Sequence, residues 1–216
     1  MTTIITVAQR KGGAGKTTVA CQISATLIAR GHSVLGVDLD EQQSFTSWAA
    51  VRRKRAGDEA LFHGVTFDKF SFPSGLRRAG EAARYVVIDT PPTTEPVVKR
   101  AIKASDLVVT PLQLSPIDLE ASIPTAIAVG EADREALFVI NRAPPRARVA
   151  DEIRRQIKLH ELPCARVELG NRAAFAESMM KGMGVVEFAP KSLAAQEMNR
   201  LVDEVVQLAE PMRSVA

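Results

Sequence analysis

Apolar residues along this chain occur in short runs rich in Val, Ile and Leu, separated by longer stretches in which an apolar residue returns every three or four positions. Short apolar runs predict buried strands, and the longer periodic stretches predict helices. The predicted strands are residues 4–8, 34–38, 65–70, 85–89, 107–112 and 136–141. The predicted helices are residues 17–30, 44–55, 76–83, 96–104, 118–129, 149–160 and 192–209.

The order of these elements, in which strands and helices alternate, predicts the fold class. Continuous apolar strands followed by helices indicate a mostly parallel sheet with helices on both faces, which is the doubly wound α/β architecture. The chain has 216 residues, and no internal repeat, low-complexity tract or obvious linker divides it. We therefore expect a single domain spanning residues 1–216.

Composition narrows the class of protein. Apolar residues make up 46% of the chain and charged residues 25%, which is typical of a soluble globular protein and excludes a disordered or fibrous one. The two cysteines, Cys21 and Cys164, provide neither a disulfide framework nor a paired metal-binding motif. The first residues do not form a signal peptide, and no apolar run reaches about 18 residues, so we expect a cytoplasmic protein.

The strongest motif, KGGAGKTT, lies between the first predicted strand and the first predicted helix. A glycine-rich loop there lets backbone N–H groups and the positive end of the helix dipole hold phosphate oxygens. We expect Lys16 to reach the terminal phosphates of a nucleotide and the Thr17 hydroxyl to ligate Mg²⁺, as in a P-loop NTPase. The candidate binding residues are Lys11, Gly12, Gly13, Ala14, Gly15, Lys16, Thr17 and Thr18.

This motif departs from the standard pattern G-x-x-x-x-G-K-[ST]. Arg10 stands where the first glycine of that pattern belongs, and Lys11 adds a second lysine at the front of the loop. The alternative interpretation is a glycine turn with solvated lysines. The strand–loop–helix context favours the phosphate-binding interpretation.

Three acidic residues follow predicted strands, at the sheet edge where open α/β proteins bind ligands. Asp38 and Asp40 are two positions apart, so we expect their side chains to share a face if the strand continues. Such a pair can orient an attacking water and support a metal ion. Asp89 ends an apolar strand, where an unpaired carboxylate is costly to bury, and a bound Mg²⁺ would satisfy it. The alternatives are ordinary strand-end carboxylates and a helix-capping aspartate.

The motif KGGxGKT with its extra lysine resembles the deviant Walker A loop of the ParA/MinD family of ATPases. The chain is similar to a small ParA-type member without the N-terminal DNA-binding extension of larger members. Further segments of the sequence resemble the family in order along the chain. These are VDLDEQQS (37–44), with Glu41 in place of the family's proline, the Walker B segment IDTPP (88–92), FVINR (138–142) and NRAAFAES (171–178).

This resemblance implies ATP and Mg²⁺ as cofactors and a homodimer with nucleotide between its subunits. Lys11 occupies the place of the lysine that contacts the phosphates bound by the other subunit. The resemblance gives Asp40 the attacking water and Asp38 a place beside the metal. Asn141 and Arg142 lie where the family holds adenine. The resemblance also implies slow ATP hydrolysis that is stimulated by a ParB-like or cargo-borne partner.

Charge distribution favours DNA over a membrane as the surface that such a dimer binds. The last predicted helix carries three acidic residues and one arginine, which is unsuited to an anionic bilayer. Residues 141–172 hold eight basic and four acidic residues, a net of +4 against +3 for the whole chain. Doubling that stretch in a dimer would supply the phosphate contacts of non-specific DNA binding, and hence association with the nucleoid. The candidate DNA contacts are Arg146, Arg148, Arg155 and Arg172.

Two alternatives stay open at this stage. Each basic residue named above is equally interpretable as a solvated surface charge. A metabolic ATP-dependent ligase of the same fold would use the same loop together with a pocket for a small substrate.

Overall fold

The computed structural model describes residues 2–56, 62–66, 76, 83–93, 96–144 and 148–210, and the fold that follows is that of these residues. Their strands are β1 Thr3–Val7, β2 Val34–Asp38, β3 Phe62–Thr66, β4 Tyr85–Asp89, β5 Leu107–Leu112 and β6 Glu135–Ile140. Their helices are α1 Lys16–Ala29, α2 Ser44–Ala56, α3 Pro96–Ala104, α4 Pro116–Glu131, α5 Arg148–Leu159, α6 Ala173–Met180, α7 Val185–Phe188 and α8 Leu193–Ala209.

The strands form one sheet in the order β3-β2-β4-β1-β5-β6, and every pairing between them is parallel. This arrangement confirms the predicted α/β fold with a parallel sheet. Asp89 at the end of β4 is level with Asp38 of β2 on one side and with Val7 of β1 on the other. The carboxyl ends of three neighbouring strands therefore meet at one edge of the sheet.

Both faces of the sheet are covered, which is why the strands are continuous apolar runs. Ile5, Val7 and Val87 belong to the core shared with α1, α2 and α8. Val86 and Ile88, at alternate positions, belong to the core on the opposite face with α3 and α4. The two-residue period of a strand thus assigns successive apolar side chains to opposite layers.

Several predicted elements have the predicted bounds, and others differ by one or two residues. Helix α4 begins two residues early because Ser115 caps it: the Ser115 hydroxyl accepts a hydrogen bond from the backbone N–H of Asp118, and Pro116 fits the first turn. Of the predicted strand 65–70, residues 65 and 66 belong to β3, which pairing with β2 extends back to Phe62, and residues 67–70 lie outside the described residues. Of the predicted helix 76–83, Leu76 is helical and residues 77–82 lie outside the described residues.

The last helix, α8, packs most of its apolar side chains into the core of the fold. Ser192 caps its first turn by accepting a hydrogen bond from the N–H of Ala195. Met198, Leu201 and Val205 are fully buried in the core with α1. Among the described residues, no helix has both the length and the apolar character to cross a membrane.

We predict that two leucines of α8 differ sharply in their contribution to stability. Leu201 is 0% exposed and Leu193 is 57% exposed. Leu201→Ala should lower the free energy of unfolding by about 2–5 kcal/mol, since it leaves a cavity in the core. The matched control Leu193→Ala should change it by no more than about 0.5 kcal/mol. Urea unfolding followed by circular dichroism measures both, and equal effects would contradict the packing of α8.

Candidate functional site

The loop between β1 and α1 has the backbone of a phosphate-binding turn. Gly13 and Gly15 have φ of 77° and 94°, values in the left-handed region that side chains other than glycine rarely adopt. Gly15 directly precedes the first residue of α1, Lys16. The first N–H groups of a helix have no partners within it, so they are available to an anion at this point.

Polar side chains from two neighbouring strand ends hold the carbonyl groups of this loop. Gln113 Nε2, just after β5, donates to Gly13 O at 3.1 Å, and Asn141 Nδ2, just after β6, donates to Ala14 O at 2.9 Å. A Cβ atom on Gly15 would lie 2.3 Å from Asn141 Nδ2. Sequence reasoning missed Gln113, although a polar residue directly after an apolar strand was the available signal.

Lys16 is buried at the mouth of the loop. Its Nζ lies 3.4 Å from the backbone oxygen of Lys11, and its residue is 6% exposed. Burial lowers the pKa of Lys16, while the negative charges of Asp89 and Asp40 act in the opposite direction. A phosphate at this position would compensate the buried ammonium group directly.

Asp89 and Thr17 form a pair of oxygen ligands next to Lys16. Thr17 Oγ1 donates to Asp89 Oδ2 at 2.6 Å. Burial raises the pKa of Asp89 to about 7, against the hydrogen bond from Thr17, and the negative charge of Asp38 raises it further. Asp89 Oδ1 is buried and has no hydrogen-bond partner among the described residues.

These features fit Mg²⁺, which binds carboxylate and hydroxyl oxygens and retains other ligands from phosphates and water. Within the described part of the chain, no three His, Cys, Asp or Glu side chains are grouped to hold a metal ion. Thr17 and Asp89 are the residues of this site that could hold such an ion.

Asp38 and Asp40 are close to this pair but are organised differently from the expectation. Strand β2 ends at Asp38, so the two-residue alternation of a strand does not extend to Asp40. Asp38 is buried, and its two oxygens accept the backbone N–H groups of Asp40 at 3.1 Å and Thr46 at 2.9 Å. It fixes the start of α2, and its role beside a metal stays a prediction. Asp40 Oδ1 accepts the N–H of Gln42 at 3.0 Å in the loop that follows.

Lys11 forms an ion pair inside the chain. Its Nζ lies 2.6 Å from Oδ2 of Asp118, whose side chain is 2% exposed, whereas the Lys11 side chain is 34% exposed. Asp118 belongs to the first turn of α4 and also accepts a hydrogen bond from Ser115 Oγ. Sequence reasoning missed Asp118, since only the tertiary structure brings α4 beside the loop.

The remaining predicted residues have mixed placements. Asn141 contacts the loop, as described above, and Arg142 beside it is exposed with a φ of 53°. Their adenine contact stays a prediction. Arg172 directly precedes α6, and its Nε donates to Glu197 Oε2 at 3.0 Å. Arg155 is 70% exposed and pairs with Glu152 on its own helix. Arg146 and the side chain of Arg148 lie outside the described residues.

Comparisons with known proteins found a matching family model, related sequences and similar structures. The model of the VirC1 protein family matches residues 2–215. The chain is 30% identical over 237 residues to the chromosome-partitioning ATPase Soj of Thermus thermophilus, covering 94% of each. It is 28% identical over 210 residues to the maintenance of carboxysome distribution protein A of Halothiobacillus neapolitanus, covering 94% of this chain and 95% of that one. The structure of the septum site-determining protein MinD of Pyrococcus horikoshii with Mg-ADP has a TM-score of 0.74, at 20% identity over all of both chains.

We predict that the two outer glycines of the loop respond differently to the same substitution. Gly15→Ala adds a Cβ at a φ of 94° and 2.3 Å from Asn141 Nδ2, so it should weaken binding of a fluorescent ATP analogue by about tenfold or more. Gly12→Ala meets no heavy atom within 4 Å and should keep the affinity within about threefold. Fluorescence titration of both folded variants measures this. Equal affinities would show that the loop backbone does not set nucleotide binding.

Proposed function

Since the chain belongs to the VirC1 family, and with it to the ParA/MinD group of partition and positioning ATPases, we propose that it is an ATP-switched positioning protein. In this proposal two subunits associate with ATP and Mg²⁺ between them, and the dimer binds DNA without sequence preference. Hydrolysis returns the subunits to the unbound state. A ParB-like or cargo-borne partner stimulates that hydrolysis and so sets where on the nucleoid the dimer is released.

The observation that carries the proposal is the placement of the two lysines. Lys16 is buried at the mouth of the loop, where it serves the nucleotide of its own subunit. Lys11 lies on the side of α4, bound to Asp118 and one-third exposed. A cation at that place is available to the phosphates of a second subunit, provided that it exchanges Asp118 for a phosphate oxygen.

Within each subunit the residues divide the work of phosphoryl transfer. The loop N–H groups and Lys16 would hold the terminal phosphates in position, and Thr17 and Asp89 would hold Mg²⁺. When bound there, Mg²⁺ would supply positive charge next to the phosphate oxygens. Asp40 lies in the loop after β2, partly exposed, and orients the attacking water. Asp38 keeps this loop in place through the N–H groups it accepts.

The proposed DNA-binding surface is the basic stretch between β6 and α6. Arg155 is largely exposed on α5, and Arg172 lies at the start of α6 with 35% of its side chain exposed. Contacts of arginines with phosphates release counterions, so binding should fall steeply with salt. In the dimer, two such surfaces bind one DNA molecule, so the affinity of the dimer for DNA exceeds that of a single subunit.

We predict that Asp40→Ala separates ATP binding from hydrolysis. The variant should bind ATP with an affinity close to that of the parent, because the Asp40 carboxylate accepts the N–H of Gln42 in the loop after β2, but turn over more slowly by about tenfold or more. The control Glu41→Ala removes the neighbouring carboxylate and should keep at least half of the parent turnover. Phosphate release and equilibrium nucleotide binding are the two measurements. Undiminished turnover in Asp40→Ala would remove this residue from the mechanism.

We predict that duplex DNA of random sequence is bound with ATP and not with ADP or without nucleotide. Raising salt from about 50 to 200 mM should weaken the affinity by an order of magnitude or more. Lys11→Ala should abolish the ATP-dependent part because the dimer is lost, and Arg172→Ala should reduce affinity by about tenfold. Arg134→Ala, which removes an exposed arginine just before β6 at the opposite sheet edge, is the control for net charge. Fluorescence anisotropy measures all four proteins.

One cavity favours a second candidate function, the ATP-dependent ligase. It has a volume of about 300 Å³, lies between α3 and α4 next to the loop, and is lined by Gln9, Arg10, Val98 and Ile102 among others. That volume suits a small substrate. ATP hydrolysis without any nucleotide-dependent DNA binding would contradict the positioning proposal and favour this candidate.

A further inference from the structure

The turn between α6 and α7, residues 181–184, is bound to the nucleotide-binding helix α1 through one buried side chain. Gln22 of α1 is 1% exposed. Its Nε2 donates to Ser178 Oγ on α6 at 3.0 Å, and its Oε1 accepts the N–H of Val185 on α7 at 2.8 Å. One amide therefore links α1 to the end of one helix and the start of the next.

Two glycines let this turn approach α1 and α2 without a side chain between them. A Cβ on Gly184 would lie 2.5 Å from Ala25 Cβ of α1. Gly182 has a φ of 63°, and a Cβ there would lie 2.4 Å from the backbone nitrogen of Arg52 on α2. A larger residue at Gly184 would push the turn away from α1, and one at Gly182 would push it away from α2.

A buried ion pair links the same turn to α2. Arg52 is 3% exposed, and its guanidinium donates to both oxygens of Glu187 at 2.8 Å and to the carbonyl of Gly182 at 3.1 Å. Glu187 also accepts the N–H of Gly184 at 2.8 Å. Burial alone would raise the pKa of Glu187, but these hydrogen bonds lower it from its usual value. The carboxylate is thus held ionised between α2 and α7.

The helices that hold the turn are the two that begin at the candidate site. Gln22 lies five residues after Thr17, which is about 8 Å along α1. Helix α2 begins beside Asp38, which accepts the N–H of Thr46. The helix that is held, α6, follows Arg172, the proposed DNA contact. Buried polar pairs of this kind cost more desolvation than apolar packing, and they specify one arrangement of the elements they join.

We propose that Gln22, Arg52 and Glu187 are positioning residues that fix α6 relative to the nucleotide-binding helices. They couple the placement of Arg172 to the position that α1 and α2 take when nucleotide is bound. This inference rests on the proposed DNA binding. In this inference, Gln22, Arg52 and Glu187 transmit the nucleotide state to Arg172, although the three residues themselves contact neither nucleotide nor DNA.

The experiment compares Gln22→Leu with Thr26→Val in the full-length protein. Gln22→Leu keeps the side-chain volume and removes both links. Thr26→Val removes a buried hydroxyl of the same helix whose hydrogen bond, to Gln22 O, stays within α1. Ser178→Ala, which removes the acceptor of Gln22 on α6 together with a hydrogen bond to Phe175 O within that helix, is the second variant should Gln22→Leu fail to fold. Thermal unfolding checks folding, anisotropy gives the DNA affinity with ATP and with ADP, and hydrogen exchange follows residues 173–188 with and without ATP.

We expect Gln22→Leu to bind ATP within threefold of the parent while its ATP-dependent DNA affinity falls about tenfold or more. Thr26→Val should match the parent, and Ser178→Ala should show a smaller loss in the same direction. In the parent, ATP should slow hydrogen exchange in residues 173–188, and this difference should vanish in Gln22→Leu.

The outcomes separate the two proposals. A folded Gln22→Leu protein that keeps the parent's ATP-dependent DNA affinity overturns the inference and leaves the proposed function standing. A parent that binds no DNA overturns the proposed function. In that case hydrogen exchange decides the inference: an ATP response in residues 173–188 that Gln22→Leu abolishes upholds the coupling, and its absence in the parent, or its persistence in the variant, overturns it.

Discussion

The close contact between the glycine-rich loop and the ends of β5 and β6 is the constraint on which the site depends. Gly15 has no room for a Cβ because Asn141 Nδ2 occupies that space, and Asn141 is there because it donates to Ala14 O. Gln113 holds the preceding carbonyl, that of Gly13, in the same way. These contacts fix the positions of the loop carbonyl groups, and a fixed loop lowers the ordering cost of binding a phosphate.

Three ionisable groups, Lys16, Asp89 and Asp38, share the sheet edge at this loop, and burial disfavours the charged forms of Lys16 and Asp89. Lys16 and Asp89 are both buried, burial lowers the pKa of the lysine and raises that of the carboxyl group to about 7, and Asp38 lies level with Asp89 on the neighbouring strand. In the proposed function, a nucleotide phosphate and a divalent cation would supply charges opposite to those of the lysine and the carboxylates. The same desolvation that destabilises these charges in isolation strengthens their contacts with a ligand.

Lys11 and Arg172, which are proposed to contact a second subunit and DNA, already have ion-pair partners within the chain. Lys11 is bound to Asp118, and Arg172 is bound to Glu197. Any contact of these cations with a phosphate therefore exchanges one anionic oxygen for another, and the net gain is smaller than that of a new ion pair. In the proposed function, the carboxylates of Asp118 and Glu197 would therefore moderate the affinity for a second subunit and for DNA.

The sequence by itself determined the alternation of strands and helices, the loop KGGAGKTT and the acidic ends of β2 and β4, because these depend on local periodicity and on residues adjacent in the chain. It did not predict the first residues of β3, whose start is set by pairing with β2, or the short helices α6 and α7. Only the tertiary structure brought Gln113, Asn141 and Asp118 to the loop, and Gln22 to the turn after α6. Those contacts join residues far apart in sequence, and no local pattern records which distant side chain satisfies a buried polar group.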